Sequence, residues 1–175
     1  MRLCGRALGG SGYPTYLIVG AGISPHKITY VFNEFINRGV TMRDFAVPVG
    51  RLLLALIFII SGYNKIMGWP GVVGAVEAKG LPLPLLFGAG AIVAELGGGL
   101  LVAIGYKARF GAAVLILFTI VTTLLFHNFW AFEGGDRQVQ MINFMKNLSM
   151  TGGLLLVLAY GAGPMSVDGE DDEWG

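Results

Sequence analysis

One cysteine, Cys4, is all the chain offers to thiol chemistry, so an internal disulfide, a Cys-x-x-Cys redox pair and a cysteine metal cluster are excluded. Histidine is nearly as scarce: His26 and His127 are the only two, and His26 lies in an amino-terminal extension set apart from the rest of the chain, so no metal or haem site is expected. There is no Gly-x-Gly-x-x-Gly turn, phosphate loop or catalytic triad spacing. Charge is sparse as well. Charged residues make up 13% of the 175, where a soluble domain carries about 25%. The net charge of +1, with no polybasic tail, argues against a nucleic-acid partner.

What fills the chain instead is apolar: 54% of residues are hydrophobic and mean hydropathy is +0.68. This material is gathered into four blocks, at about 47–67, 83–104, 108–130 and 143–162. Each is long enough, at about 1.5 Å per residue, to cross a hydrocarbon core of about 30 Å. The expected fold class is therefore all-α, a polytopic membrane four-helix bundle in contact with the lipid bilayer. Residues 43–168 form the transmembrane domain, and 169–175 are an acidic tail. Lysine and arginine are retained in the cytoplasm. Lys107 and Arg109 in the short hinge between the second and third blocks, with Arg38 and Arg43 before the first, place both termini inside. The loops at 68–82, with one lysine and one glutamate, and at 133–140, with no basic excess, then face outward.

Residues 1–42 read differently. Arg2 and Arg6 precede the run YLIVGAGI, which is too short and glycine-interrupted for a cleaved leader. Ile28, Val31, Phe32, Phe35 and Ile36 recur at helical spacing and fit a short helix lying on the membrane surface. A translation start at Met42 is an equal alternative.

Ionisable groups inside a membrane helix are costly toward lipid, so Arg51, Lys65, Glu95, His127 and Lys146 are expected to face the bundle interior. Arg51, Ala55, Phe58, Gly62 and Lys65 share one face of the first helix, with its charges about 21 Å apart along the axis. Counted along the helices, Lys65, His127 and Lys146 each lie about 5 Å below the outer surface. Asn143 and Asn147 share the face of Lys146. These five are the ligand-binding set, an outward-facing pocket rich in donors. Glu95 falls near mid-span with Arg51 about 10 Å away on the cytoplasmic side, which makes the two an expected buried ion pair or proton site. The bland alternatives are snorkelling lysines, an interfacial histidine and a purely structural ion pair.

Four stretches in order, GRLLLALIFIISGYNKI, AIVAELGGGLLVAIGYKARFGA, LLFHNFW and NFMKNLSMTGGLLLVLAYGAGPMSVD, resemble the DoxX family of bacterial membrane proteins over roughly 43–168. The family's recurrent polar positions map onto Arg51, Ser61, Lys65, Glu95, His127, Lys146 and Asn147. The resemblance implies a four-helix bundle of the bacterial inner membrane, associated with oxidoreductases or quinone-linked electron transfer. The chain carries no cofactor of its own by this reading. It is an accessory subunit rather than an enzyme alone, with a quinone or small anion as ligand and an oxidoreductase or a second copy as partner. A structural or assembly factor for a partner membrane protein is the alternative class. Small-solute or proton transport through Glu95 comes third, because the chain shows neither broken spans nor a repeat.

Overall fold

The structure, a computed structural model, describes residues 42–168. The surface helix read at 24–38 and the acidic tail lie outside the described residues. Five helices follow in order: α1 (Met42–Met67), α2 (Trp69–Ala78), α3 (Pro84–Ile104), α4 (Ala108–Phe126) and α5 (Gly134–Tyr160). A short 3-10 turn, Phe129–Ala131, precedes α5. Four of the helices, all but α2, are long and apolar enough to cross a membrane. The described chain is an all-α polytopic bundle.

Local sequence sets the boundaries. Gly68 ends α1, and Trp69-Pro70 starts α2, with proline in the first turn, where its missing N–H costs nothing. Pro84 starts α3 in the same way. At the other end of α3, Gly105 takes a left-handed conformation (φ 68°) and its N–H caps the carbonyl of Leu101. That turn is tight enough for α4 to begin at Ala108.

In the bundle α1 packs on α3, α3 on α4 and α4 on α5, while α5 meets α1 over a short stretch around Leu54 and Gly153. Small residues permit the closest approach. A β-carbon on Gly98 of α3 would fall 2.8 Å from the Leu115 side chain, and one on Gly111 of α4 would fall 3.0 Å from the Gly98 carbonyl oxygen. Only hydrogen at these positions allows the crossing. The core beside it is Ala55, Phe58, Val102, Ala112, Leu115 and Leu154.

Two elements depart from the sequence reading. Helix α2 occupies a stretch read as an outer loop, because ten residues interrupted by Gly71 and Gly74 carry no span-length apolar run. Helix α5 begins at Gly134 rather than 143, since its polar first turns have no apolar periodicity although they continue the helix.

Candidate functional site

The two ends of the bundle hold different polar clusters. At the end of the α3–α4 hinge, the buried Arg51 guanidinium donates to the carbonyl oxygens of Ala103 (3.4 Å), Ala162 and Met165 (2.9 Å). Residues after α5 fold back over the hinge: Val167 N–H donates to Ile104 O, and Asp168 N–H donates to Gly105 O at 2.8 Å. The Asp168 carboxylate accepts from the Lys107 and Ala108 amides at the start of α4, at 2.9 and 3.1 Å. Arg51 thus holds the returning segment, and the expected pair with Glu95 is corrected. The guanidinium turns toward three carbonyls that the segment after α5 and the end of α3 leave unpaired, away from the carboxylate.

Glu95 pairs with Lys65 instead. Lys65 Nζ lies 2.7 Å from Glu95 Oε2, 2.8 Å from Oε1 and 2.8 Å from Ser61 Oγ, while Ser61 donates to Glu95 Oε1 at 3.0 Å. The carboxylate side chain is 5% exposed and the lysine 27%. Ser61 and Lys65 sit one turn apart on one face of α1, and Gly62 between them brings α3 so close that a β-carbon there would lie 3.3 Å from Glu95 Cβ. Counting depth along separate helices put Lys65 and Glu95 in different layers. Two long side chains leaning toward each other across a glycine contact remove that difference.

This triad forms one wall of a cavity of about 750 Å³ that also receives His127, Asn147, Thr119 and Thr122, with mostly apolar walls. His127 Nδ1 is 2.8 Å from Gln140 Oε1. With that amide oxygen as acceptor, Nδ1 carries the proton and Nε2 is left as an acceptor. Asn147 donates to Thr123 Oγ1 at 2.8 Å, and Thr123 in turn donates to the Thr119 carbonyl. The Thr119 hydroxyl is buried and has no partner among the described residues. Phe129, Trp130 and Phe144 pack edge to face, with centroids 5.3 to 6.1 Å apart, fixing the turn after His127 against α5.

Of the five residues read as ligand-binding, the structure brings Lys65, His127 and Asn147 to the cavity and leaves Lys146 and Asn143 out of its lining. Lys146 is exposed. One residue before Asn147 lies about 100° around the helix, so the turn that aims Asn147 at Thr123 aims Lys146 away. The expected convergence of three basic residues is therefore one lysine offset by a carboxylate, with a histidine nearby. Gln140 and Thr119 were missed. Gln140 fell in the supposed loop, and Thr119 is a threonine in an apolar helix with nothing to distinguish it until its neighbours are known. No group of three or more metal-ligating side chains occurs among the described residues.

Comparison with known proteins agrees with this architecture. The DoxX family model matches residues 46–128, and the SURF4 family model matches residues 90–174. The chain is 36% identical over 126 residues to Inner membrane protein YphA of Escherichia coli (strain K12), covering 72% of this chain and 90% of that protein. It is 39% identical over 130 residues to Inner membrane protein YqjF of the same organism, covering 73% and 92%. A more distant similarity, 29% over 147 residues, links it to ER-derived vesicles protein ERV29 of Saccharomyces cerevisiae, of which it covers 40%. No solved structure matches.

Proposed function

The chain belongs to the DoxX family, and on that premise we propose that it is a membrane subunit that binds a small, uncharged molecule of the quinone class for a partner oxidoreductase. The observation that carries this reading is the cavity itself, with Lys65, Ser61, Glu95, His127 and Asn147 on otherwise apolar walls. Apolar lining with few convergent polar groups is the usual character of a small-molecule site, and about 750 Å³ falls within the usual range of roughly 300–1,000 Å³. Neutrality follows from the triad. Glu95 offsets the one lysine that lines the cavity, so an anion would meet no uncompensated cation there, whereas a dipolar head group meets both signs.

A quinone ring fits such walls, and when bound it would supply the redox chemistry that the chain lacks. The residues themselves bind and orient. Asn147, with a second amide hydrogen, and the Thr119 hydroxyl present donors, while the Lys65–Ser61–Glu95 triad uses its own donors internally. His127, with Nδ1–H on Gln140, offers Nε2 as an acceptor, and α2 limits water from one side through Val72 and Val76. A short-chain quinone is expected to raise the unfolding temperature of the purified protein by mass action. Asn147→Ala, His127→Ala and the charge-paired double variant Lys65→Met/Glu95→Gln should each lose most of that shift, while Lys146→Ala keeps it. Equal shifts in all four variants would remove the cavity as the site.

A second reading, a structural or assembly factor, is favoured by α5, in which Leu154 alone is fully buried, so that the side of this membrane-length helix turned away from α4 is open to a partner or a second copy. The match to the SURF4 family model covers this helix. Mass spectrometry after gentle purification separates the two, since a bound quinone supports the first and a stoichiometric membrane partner without one supports the second.

A further inference from the structure

We infer that the ligand is borne by the membrane and enters the cavity sideways, between α3 and α4, as a single-chain amphiphile whose hydrocarbon chain lies in that gap. The inference rests on the cavity being the ligand site. It adds where the opening lies and what kind of molecule can pass through it.

The geometry of α3 and α4 sets the opening. They are locked together at Gly98 and Gly111, where no side chain fits between the backbones. Toward the end that carries His127, both helices line the cavity, α3 through Phe87, Gly90 and Ala91 and α4 through Phe118, Val121 and Leu125. Phe87 is 48% exposed and Val121 45%, so these two lining residues keep accessible surface on membrane-length helices. Two helices in contact at Gly98 and Gly111 that both line the cavity farther along leave an apolar gap between them there, a wedge.

Helix α2 lies across part of the route from the helix ends. Helix α2 crosses from α3 toward α4: Trp69 and Val72 lie over Gly88, where a β-carbon would fall 3.1 Å from the indole. At the other end of the segment, Lys79 sits 5.7 Å from the Phe126 ring centroid. Val72, Ala75 and Val76 then form part of the cavity roof. A solute arriving from water meets this roof, whereas one dissolved in the bilayer meets the wedge.

The polar groups choose among bilayer molecules. Lys65 is engaged by Glu95 and Ser61, and no other lysine or arginine lines the cavity among the described residues, so a phospholipid phosphate would enter without a counter-charge. An uncharged head has partners here: a carbonyl oxygen can accept from the Thr119 hydroxyl or the second Asn147 amide hydrogen, and a hydroxyl can donate to His127 Nε2 or the Glu95 carboxylate. Its chain would run past Gly90, beside which a β-carbon would meet nothing within 4 Å.

Gly90 supplies the test. In lipid nanodiscs, binding is measured, as mole fraction in the bilayer, for a benzoquinone carrying a decyl chain and for the same ring carrying a methyl group. The decyl compound should bind wild-type protein about threefold more tightly, through close packing of the chain against the wedge walls, since its transfer out of water is already complete in the bilayer. Gly90→Leu places a side chain in the wedge without a clash and should remove that advantage, leaving the methyl compound within about twofold of wild type. Gly97→Leu is the control, a substitution on the same helix, also into open space, at a residue outside the cavity lining, and should bind both compounds as wild type does. Equal affinity of wild type for the two rings, or an advantage that survives Gly90→Leu, overturns sideways entry and leaves the head-group site standing. Failure of wild type to bind either ring overturns the ligand reading, and the entry route with it.

Discussion

The Lys65–Glu95 contact shows why a charge inside the bundle must be read with its neighbours. A carboxylate 5% exposed, left without its lysine, is costly to keep charged, and removing one partner of a fully buried pair typically costs about 3 to 5 kcal/mol. Lys65 is 27% exposed toward the cavity, so the lower end of that range applies. Lys65→Met is expected to destabilise more than Glu95→Gln, and the double variant should recover part of the loss. In contrast, Arg51→Met and Glu95→Gln should add to within about 0.5 kcal/mol, as independent sites do, because Arg51 bonds three carbonyls at the hinge end. Equilibrium unfolding in mixed micelles measures both cycles, and additivity in the first with coupling in the second would reverse the pairing. The polar residues themselves were legible, since charge in a membrane helix stands out against apolar surroundings. Their partners were not. Which helix neighbours which is decided by contacts such as Gly62 on Glu95, and the sequence showed small residues at those places without showing what they touch.

Among elements, the spans could be read because a run of about twenty apolar residues has few other uses. The short α2 and the polar start of α5 escaped because helix outside the hydrocarbon core needs no such run. The segment after α5, GPMSVD, escaped for a different reason: it has no periodicity, and its order comes from partners far away in the chain. It closes the hinge through Arg51 and through Asp168, whose carboxylate satisfies two amides that the first turn of α4 leaves without helical partners. A carboxylate at that position also opposes the positive end of the helix dipole. Asp168→Ala is therefore expected to cost about 1 to 2 kcal/mol, in the range of lost amino-terminal caps. Hydrogen exchange should quicken at Lys107 and Ala108 while the amides beside the cavity keep their protection. Unchanged exchange at the hinge would show that this segment rests on α4 without holding it.

At the scale of the whole molecule, the separation of clusters along the bundle axis makes orientation a functional matter. The hinge end carries Lys107 and Arg109 between two spans, a short loop of the kind on which basic residues determine retention in the cytoplasm. The other end has Lys79 with Glu77 around α2, and Arg137 with Glu133 and Asp136 around the start of α5, so neither connection carries a basic excess. The rule counts basic residues in short loops rather than net charge, and two in a hinge of a few residues outweigh one in each longer connection. With four spans, the rule predicts that the hinge and the carboxyl terminus lie inside and that the cavity under α2 opens into the outer leaflet. On that prediction the proposed site is reached from the membrane on the side away from the cytoplasm, with α5, the least buried of the four spans, beside it. Reporter fusions decide the matter: one that truncates the chain after Gly135, behind three spans, should be active only outside, and one at the end of the full chain only inside. Reversed activities would turn the cavity toward the cytoplasmic leaflet, and equal activities at the two positions would mean that α5 does not cross the bilayer.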